Sequence, residues 1–179
     1  KNNKTVIGDI FKNTKVTNNG GKNDRNFTLL GDPALRLAVP SNKIVLDSIT
    51  YENLKTDTIK SISSPTLHGR ILMPDSATSL NFNGWIEITL FDKEQTIETL
   101  ANDENANPFS YRSKENLLFI GKGNVINGHF SSSIFVPKDI RQNFDFSRLS
   151  FYAVDSSLGD ATGYDESIIL GGTEENIIQ

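Results

Sequence analysis

The sequence contains no cysteine in its 179 residues. This absence excludes disulfides, zinc–thiolate sites, iron–sulfur clusters and a cysteine nucleophile within the chain. No apolar run approaches the roughly 20 residues that a membrane-spanning helix needs. Basic residues are in the minority, since 18 Lys and Arg oppose 22 Asp and Glu for a net charge of −4. A mildly acidic chain is a poor binder of nucleic acid or of an anionic membrane surface.

The residues that are present fit a globular protein, with 36% hydrophobic and 22% charged side chains. Apolar residues at helical spacing predict a short amphipathic helix over residues 5–16, with Thr5 as its N-cap. The apolar run 27–39 follows and is broken by Gly-Asp-Pro at residues 31–33, where proline favours an extended backbone. Two apolar pieces of this size cannot make a core alone, so we expect them to pack on something else.

After Pro40 the chain changes to short segments typical of strands. Strands are predicted at residues 43–50, 57–63, 66–73, 84–91, 96–100, 117–126, 129–136, 149–154 and 165–170. Asn127-Gly128 between two of them is the strongest hairpin signal. We therefore predict a mainly β fold for residues 41–179, namely an antiparallel immunoglobulin-like β-sandwich.

The alternation of apolar and polar residues predicts which side chains form the core of this fold. In residues 84–91 the inward positions are Ile86, Ile88 and Leu90, and Trp85 lies on the outward face. Residues 149–154 alternate in the same manner, so the sequence predicts one apolar face on each strand.

His68 and His129 are the two histidines, and both fall in predicted strands. A metal-binding or general-base role needs partners from elsewhere in the fold, and Asp47 or Asp75 are the carboxylates available. No spacing demands either pairing, so two half-exposed strand residues are the alternative interpretation. No catalytic residue is predicted in this chain.

A run of three serines, residues 131–133, lies beside His129 but lacks the turn that exposes a nucleophilic serine in hydrolases. The glycine-rich residues 121–124 (GKGN) lack the spacing and the following helix of a phosphate-binding loop. We expect them to mark a β-bulge in one arm of the hairpin.

An acidic segment near the C-terminal end contains the candidate calcium ligands Asp155, Asp160, Asp165 and Glu166. Four carboxylates are enough for a calcium site, because calcium takes oxygen ligands. Solvated turn residues are the alternative interpretation. Calcium is the only cofactor that the sequence suggests.

Exposed aromatic residues would provide a surface for glycan or protein binding. The candidates are Tyr51, Phe82, Trp85, Phe109, Tyr111, Phe144 and Phe146. Side chains that cap the ends of the sandwich are the alternative interpretation.

Residues 24–37 (DRNFTLLGDPALRL) resemble the segment that closes the catalytic domain of gingipain-like cysteine peptidases. In that family the segment ends a caspase-like α/β domain, and the helix containing Ile7-Gly8-Asp9 resembles the last helix of the same domain. The resemblance implies that residues 1–40 are the incomplete end of a peptidase domain. The catalytic Cys and His of the family would then precede Lys1, so none of them maps onto this chain.

The rest of the chain resembles the β-sandwich that follows the peptidase domain in the cell-surface sortases of the Bacteroidetes type IX secretion system. The motifs that carry this resemblance are residues 82–84, 91–93, 119–123, 127–130, 136–140, 152–153, 160–161 and 171–172. The resemblance implies an exported accessory domain at the outer membrane, cell surface or periplasm. Its partners would be the upstream peptidase domain, outer-membrane secretion proteins and cargo, with no nucleic acid and no membrane-spanning segment.

Two hypotheses about function follow. In the first, the chain is a fragment of a longer polypeptide, as its start at Lys1 without a methionine also indicates, and serves as a non-catalytic region of a sortase. In the second, it is a stand-alone adhesion or carbohydrate-binding module. The motif Asp-Ser/Thr-apolar at residues 47–49, 57–59 and 75–77, similar to periplasmic O-glycosylation sites of Bacteroidetes, would support export. Chance is the alternative for so short a motif.

Overall fold

The computed structural model describes residues 6–17, 26–102 and 106–174. The chain divides into two compact units, Lys1–Val39 and Pro40–Gln179. Thr5, the predicted N-cap, lies outside the described residues.

The first unit contains the predicted helix, α1 (Ile7–Thr17). Immediately before it, Val6 forms an antiparallel bridge with Arg36, and the Ile7 N–H donates to the Leu35 carbonyl at 3.0 Å. No residue of α1 is buried. Main-chain hydrogen bonds between the helix start and the apolar run therefore organise this unit, and the unit has no core of its own among its described residues.

The second unit is built of strands. They are β1 (Asn42–Tyr51), β2 (Leu54–Thr56), β3 (Thr58–Ser61), β4 (Thr66–Leu72), β5 (Gly84–Phe91), β6 (Gln95–Glu98), β7 (Ser110–Ser113), β8 (Leu117–Ile126), β9 (His129–Ser133), β10 (Asp145–Phe146), β11 (Arg148–Asp155), β12 (Gly159–Asp165) and β13 (Ile169–Thr173). The prediction of a mainly β protein with one short helix is confirmed.

Seven of these strands form a closed, barrel-like sheet in the order β12-β11-β5-β8-β9-β4-β1, and β2 is attached to β1. The ring closes where β1 runs parallel to β12, with Asn42 opposite Ala161 and Lys43 opposite Thr162. Gly163 stands against the main-chain carbonyl of Ile44, so a side chain at this position would prevent the two strands from approaching. A single closed sheet of mixed direction thus takes the place of the two facing antiparallel sheets of the predicted immunoglobulin-like sandwich.

Two smaller sheets complete the second unit. One has the order β10-β13-β3, with β13 parallel to β3, and the other is the hairpin of β6 and β7. β7 lies in a segment that the sequence indicated only as polar and loop-like. This strand is short and almost fully exposed, so its sequence shows no alternation of apolar and polar residues that would predict a strand.

The interior of the closed sheet is apolar, as the alternation pattern predicted. Ile86, Ile88 and Leu90 of β5 are at most 1% exposed, and Phe151 of β11 lies 5.8 Å from Phe130 of β9 between ring centroids. The buried apolar side chains are Ile44, Ile49, Ile59, Leu67, Ile71, Phe82, Ile86, Ile88, Leu90, Val125, Phe130, Ile134, Val136, Ile140, Leu149, Phe151, Ala153, Ala161, Ile168 and Leu170.

The hairpin of β8 and β9 has the predicted turn. Asn127 and Gly128 have positive φ angles of 49° and 75°, as a two-residue turn that follows the strand twist requires. Ile126 pairs with His129 and Val125 with Phe130, which fixes the register of the hairpin.

Candidate functional site

A buried cluster of charged side chains lies just after β5, and hydrophobic patterning gave no signal for it. Lys93 is fully buried and Asp92 is 3% exposed. The Lys93 Nζ lies 3.7 Å from Asp92 Oδ1 and donates a hydrogen bond to the Arg141 carbonyl. Arg141 in turn donates to the Lys93 carbonyl at 2.5 Å, and its Nε lies 3.7 Å from Asp92 Oδ2. These contacts join the end of β5 to the segment that precedes β10.

The chemistry of this cluster is that of a structural ion pair. Burial lowers the pKa of Lys93, and the Asp92 carboxylate acts in the opposite direction. The Asn116 amide also donates to Asp92 Oδ2, at 3.2 Å, so both carboxylate oxygens have partners. The Lys93 ammonium group donates its hydrogen bond to a main-chain carbonyl, so we assign a structural role to the cluster. It anchors the start of the β6–β7 hairpin, because a two-stranded hairpin is only marginally stable on its own.

A groove of about 780 Å³, lined by residues of β1, β4, β8 and β9, brings the two histidines near each other. His68 lies opposite Ser131 in the ladder, and Arg70 lies opposite His129. The His68 Nε2 is 2.9 Å from the Thr50 hydroxyl. The strand register therefore gathers histidine and serine side chains that lie far apart in the sequence.

The two carboxylates considered as histidine partners differ in position, since Asp47 lines the groove with the histidines and Asp75 does not. Asp47 forms an ion pair with Arg70, and Asp75 accepts the main-chain N–H of Ala77 at 3.0 Å in an exposed turn. The described ranges hold no group of three or more His, Asp or Glu side chains placed to bind a metal ion. The predicted absence of a catalytic residue stays a prediction.

The calcium candidates lie at the two ends of the β11–β12 hairpin. Asp155 pairs with Gly159 at one end, whereas Asp165 pairs with Leu149 at the other. The Asp155 carboxylate accepts three main-chain N–H groups, those of Asn83 at 2.6 Å, Ser157 at 2.7 Å and Leu158 at 2.9 Å. These hydrogen bonds hold the pKa of Asp155 below its ordinary value.

The other three candidates also have protein partners. Asp160 accepts the Tyr152 hydroxyl at 2.8 Å, Asp165 accepts the Ser167 N–H at 2.8 Å, and Glu166 lies 3.8 Å from Lys114. The structure therefore separates the four carboxylates into two places and uses Asp155 as a turn-forming side chain. Whether calcium binds stays an open prediction.

The expected bulge at the glycine-rich residues is absent. Gly121 pairs regularly with Ile88 and Gly123 with Ile86. The irregularity in this ladder lies where Leu90 and Phe91 of β5 face Phe119 and Leu117, so the extra residue on β8 is Leu118. The glycines leave room for neighbours, because a Cβ at Gly121 would collide with the ring of Phe119. They serve packing and not a change of register, so the prediction of a bulge there was wrong.

The aromatic candidates take different positions. Phe82 belongs to the core, Trp85 is 37% exposed, and Phe109 and Phe144 are 67% and 62% exposed. Trp85 forms an edge-on pair with Tyr152 at 6.1 Å between ring centroids. The remaining candidates are Tyr51, half-buried, and Tyr111 and Phe146, both exposed.

Outward-facing Trp85 is covered on one ring face by Lys122, whose Nζ is 4.6 Å from the ring centroid. This cation–π contact joins β8 to β5 on the outer surface. Trp85, Tyr152 and Lys122 form an exposed cluster that the period-two pattern found in part, through Trp85.

The three Asp-Ser/Thr-apolar motifs lie in different surroundings. Ser76 is exposed in a turn with a φ of 69°, whereas Ser48 and Thr58 are half-buried in strand segments. Of the three, the motif at residues 75–77 presents its hydroxyl-bearing residue, Ser76, in an open turn.

Fold and surface together define a mainly β domain without a metal cluster in its described part. No protein-family model and no curated protein matches the sequence. Among solved structures, the chain is similar to the crystal structure of dimeric latent PorU from Porphyromonas gingivalis, with a TM-score of 0.64 and 25% identity. The match covers 98% of this chain and 17% of the PorU chain, so this chain spans about a sixth of that protein.

A second solved structure is the sporulation control protein Spo0M from Bacillus subtilis. Its TM-score is 0.41 at 10% identity, over 75% of this chain and 51% of that chain. A likeness at this level carries no conclusion about fold or function. No helix among the described residues is long and apolar enough to cross a membrane.

Proposed function

We propose that this chain is a non-catalytic region of an exported, cell-surface cysteine peptidase of the gingipain-like family, of the type IX secretion sortase kind to which PorU belongs. The observation that carries the proposal is the similarity to PorU over 98% of the chain at a TM-score of 0.64. The resemblance of residues 24–37 to the end of the peptidase domain supports it independently. On this proposal residues 1–40 complete the peptidase domain and residues 41–179 form a supporting β-domain.

The exposed apolar side chains of the first unit support an incomplete domain. Those of the apolar run 27–39 are Phe27, Leu30, Leu35, Leu37 and Val39, with exposed fractions between 44% and 92%. A segment with this composition gains stability by burying these side chains, at about 25 cal/mol per Å² of apolar area. The upstream part of the peptidase domain would provide the surface that covers them.

The role proposed for the second unit is to support the peptidase domain or to present it to cargo and outer-membrane partners. The chain itself would have no peptidase activity and no cofactor, because the nucleophilic cysteine and its histidine would lie upstream. Cleavage and attachment of cargo would be activities of the whole polypeptide.

The mass of the native polypeptide tests this proposal. An antibody against this chain would be used on soluble and outer-membrane fractions of source cells. A band far heavier than the 19.8 kDa of this chain in the outer-membrane fraction is expected. A band at the mass of the chain in the soluble or secreted fraction would contradict the proposal.

A substitution at Leu30, which is 92% exposed, tests the covering surface. Leu30→Glu should leave the melting temperature of the 179-residue chain unchanged but lower that of the longer polypeptide, because only there is the side chain buried. Leu54→Glu is the matched control on the second unit, where Leu54 is 73% exposed. Equal melting temperatures of the longer polypeptide with and without Leu30→Glu would argue against residues 1–40 as part of the peptidase domain.

A second candidate function, adhesion or carbohydrate binding, is favoured by the exposed Trp85–Tyr152 pair. Aromatic faces flanked by polar groups suit sugar rings, although Lys122 occupies one face of Trp85. Glycan-array binding that disappears in Trp85→Ala and persists in Phe109→Ala would support it. Absence of glycan binding by the unsubstituted chain would remove this candidate.

A further inference from the structure

The groove that contains the two histidines lies where β8 and β9 diverge after their hairpin turn. The described ladder between these strands extends from the turn as far as Val125 opposite Phe130. Beneath the groove, Gly123 and the Ser132 side chain lie against each other, since a Cβ at residue 123 would stand 2.9 Å from the Ser132 Oγ. The groove is therefore a depression in the surface of the closed sheet, and both of its walls belong to that sheet.

Three polar side chains in the lining form no hydrogen bond with any other described residue. They are Asn124 of β8 and both His129 and Ser131 of β9. The His68 ring differs from them, because its Nε2 lies 2.9 Å from the Thr50 hydroxyl. Amide and hydroxyl groups both donate and accept hydrogen bonds. Two strands of a folded sheet thus hold hydrogen-bonding groups at set positions, where they are available to a ligand.

The lining offers little fixed charge to a ligand. Among the described residues that line the groove, Asp47 is the one carboxylate, and none is a lysine or an arginine. The Asp47 carboxylate is itself paired with Arg70. Phosphate and sulfate groups are held best by cationic side chains, which this lining lacks in its described part. The groove is therefore matched to a ligand whose polar groups are uncharged and both donate and accept hydrogen bonds.

The aromatic pair of Trp85 and Tyr152 adjoins this groove on the outer face of the sheet. Trp85 lies directly opposite Asn124 in the ladder of β5 and β8, and opposite residues point to the same face. Ser131 lies opposite His68 in the ladder of β9 and β4. The outer surface therefore continues from an aromatic ring, across Asn124, to Ser131. Since neighbouring strands are about 5 Å apart, a ligand that contacts both ends must span about 10 Å or more.

We propose that this groove binds a neutral oligosaccharide, with one sugar ring hydrogen-bonded to Asn124 and Ser131 and a neighbouring ring against Trp85. Sugar hydroxyls donate and accept hydrogen bonds as amide and serine groups do, and the apolar faces of sugar rings pack on aromatic rings. The proposal rests on the second candidate function, sugar binding, and adds to it the groove, an uncharged ligand and the need for more than one ring. It does not depend on whether the chain belongs to a sortase.

Chemical-shift mapping by NMR on the 179-residue chain tests this site. The probes are neutral tetrasaccharides of glucose, mannose, galactose and N-acetylglucosamine at millimolar concentration, with inorganic phosphate as the charged comparison. At least one tetrasaccharide should shift the main-chain amide signals of Asn124, Ser131 and Trp85. The corresponding monosaccharide should bind more weakly, because it reaches only one end of the surface, and phosphate should leave the three signals unchanged.

Substitutions on the outer face separate the groove from the aromatic pair. Asn124→Ala and Ser131→Ala each remove one hydrogen-bonding group and should weaken tetrasaccharide binding about fivefold. Both residues are exposed, so the fold should be kept, and the NMR spectrum of each variant checks this. Ser150→Ala is the matched control, since Ser150 lies on β11 opposite Thr89 and does not line the groove. This variant should bind the tetrasaccharide as the parent chain does.

Three results would overturn the proposal. One is that no tetrasaccharide shifts the signals of the groove residues. Another is binding that shifts Trp85 and Tyr152 but keeps its affinity in Asn124→Ala and Ser131→Ala, because the aromatic pair would then bind sugar without the groove. The third is a groove that responds to phosphate alone. The sortase proposal is tested separately, by the mass of the native polypeptide.

Discussion

The two units of this chain differ in what stabilises them. In the first, α1 has no buried residue and main-chain hydrogen bonds join the helix start to Leu35. In the second, a closed sheet surrounds a core whose members include Phe82, Phe130 and Phe151, each at most 4% exposed. The units contain similar apolar side chains, so composition does not explain the difference.

The difference shows that an apolar segment needs a partner surface before it contributes stability. A strand of the closed sheet has two hydrogen-bonded neighbours and a shared interior, and its apolar face is removed from water. The apolar run of residues 27–39 has no such interior within its unit. The predictions below test this contrast, first where the core is closed and last where it is missing.

The largest effect is expected at Phe151, which is 1% exposed inside the closed sheet. Phe151→Ala should lower the free energy of unfolding by about 3–5 kcal/mol, through lost burial and the cavity that remains. Urea unfolding followed by tryptophan fluorescence measures it, with the 73% exposed Tyr164→Ala as the control. A loss below about 1 kcal/mol would mean that the interior is not packed as a core.

The next effect concerns the buried ion cluster. Lys93→Met keeps the volume of the side chain but removes one of the two cations that lie 3.7 Å from the Asp92 carboxylate, and we expect a loss of about 3 kcal/mol. Adding Asp92→Asn to this variant should restore part of the loss, because it removes a buried negative charge for which Arg141 would be the remaining cationic partner. Urea unfolding curves of the single and double variants measure both changes in stability. A Lys93→Met variant as stable as the parent chain would contradict the anchoring role.

A smaller effect is expected at Asp155, whose carboxylate accepts three main-chain N–H groups. Asp155→Ala should cost about 1–3 kcal/mol at neutral pH, since these donors lose their acceptor. The pKa of Asp155 is below its ordinary value in the folded state, so its charge stabilises the fold above the ordinary aspartate pKa. This stability is lost as the pH falls through the lower folded pKa.

Stability measured against pH in acid separates this effect from general acid unfolding. The parent chain should lose stability below about pH 4 more steeply than Asp155→Asn, which has no charge to lose. The exposed Asp139→Asn serves as the control and should follow the parent. Identical acid profiles for the parent and Asp155→Asn would contradict the role of the charge.

The smallest effect is expected at Phe27, which is 67% exposed in the first unit. Phe27→Ala makes the same chemical change as Phe151→Ala, yet it should alter the free energy of unfolding of this chain by less than about 0.5 kcal/mol. Thermal unfolding measured for both variants side by side gives the contrast directly. A large loss at Phe27 would show that the first unit has a core after all.

Sequence periodicity determined much of the second unit. The apolar alternation of β5 and β11 correctly predicted their buried faces, and Asn127-Gly128 correctly predicted the hairpin of β8 and β9. Helical spacing also predicted α1. These features are local, because strand alternation, turn geometry and helix periodicity each depend on residues close together in the chain.

β12 shows where local information ends. Its sequence, GDATGYD, is rich in glycine and aspartate and resembles a loop, so the alternation pattern predicts no strand there. In the fold it pairs with both β11 and β1 and closes the sheet. The residues of this segment have a weak intrinsic propensity for the strand conformation. Hydrogen bonding to a strand on each side compensates for that weakness.

The sequence by itself determined the strands with clear alternation, the turn and the absence of cysteine chemistry. Only the tertiary structure decided that the sheet closes through β1 and β12, that the four acidic candidates lie at two ends of one hairpin, and that Lys93 is buried against Asp92 and Arg141. Each of these depends on contacts between residues far apart in the chain, whose free energy is set by packing and pairing and not by local pattern.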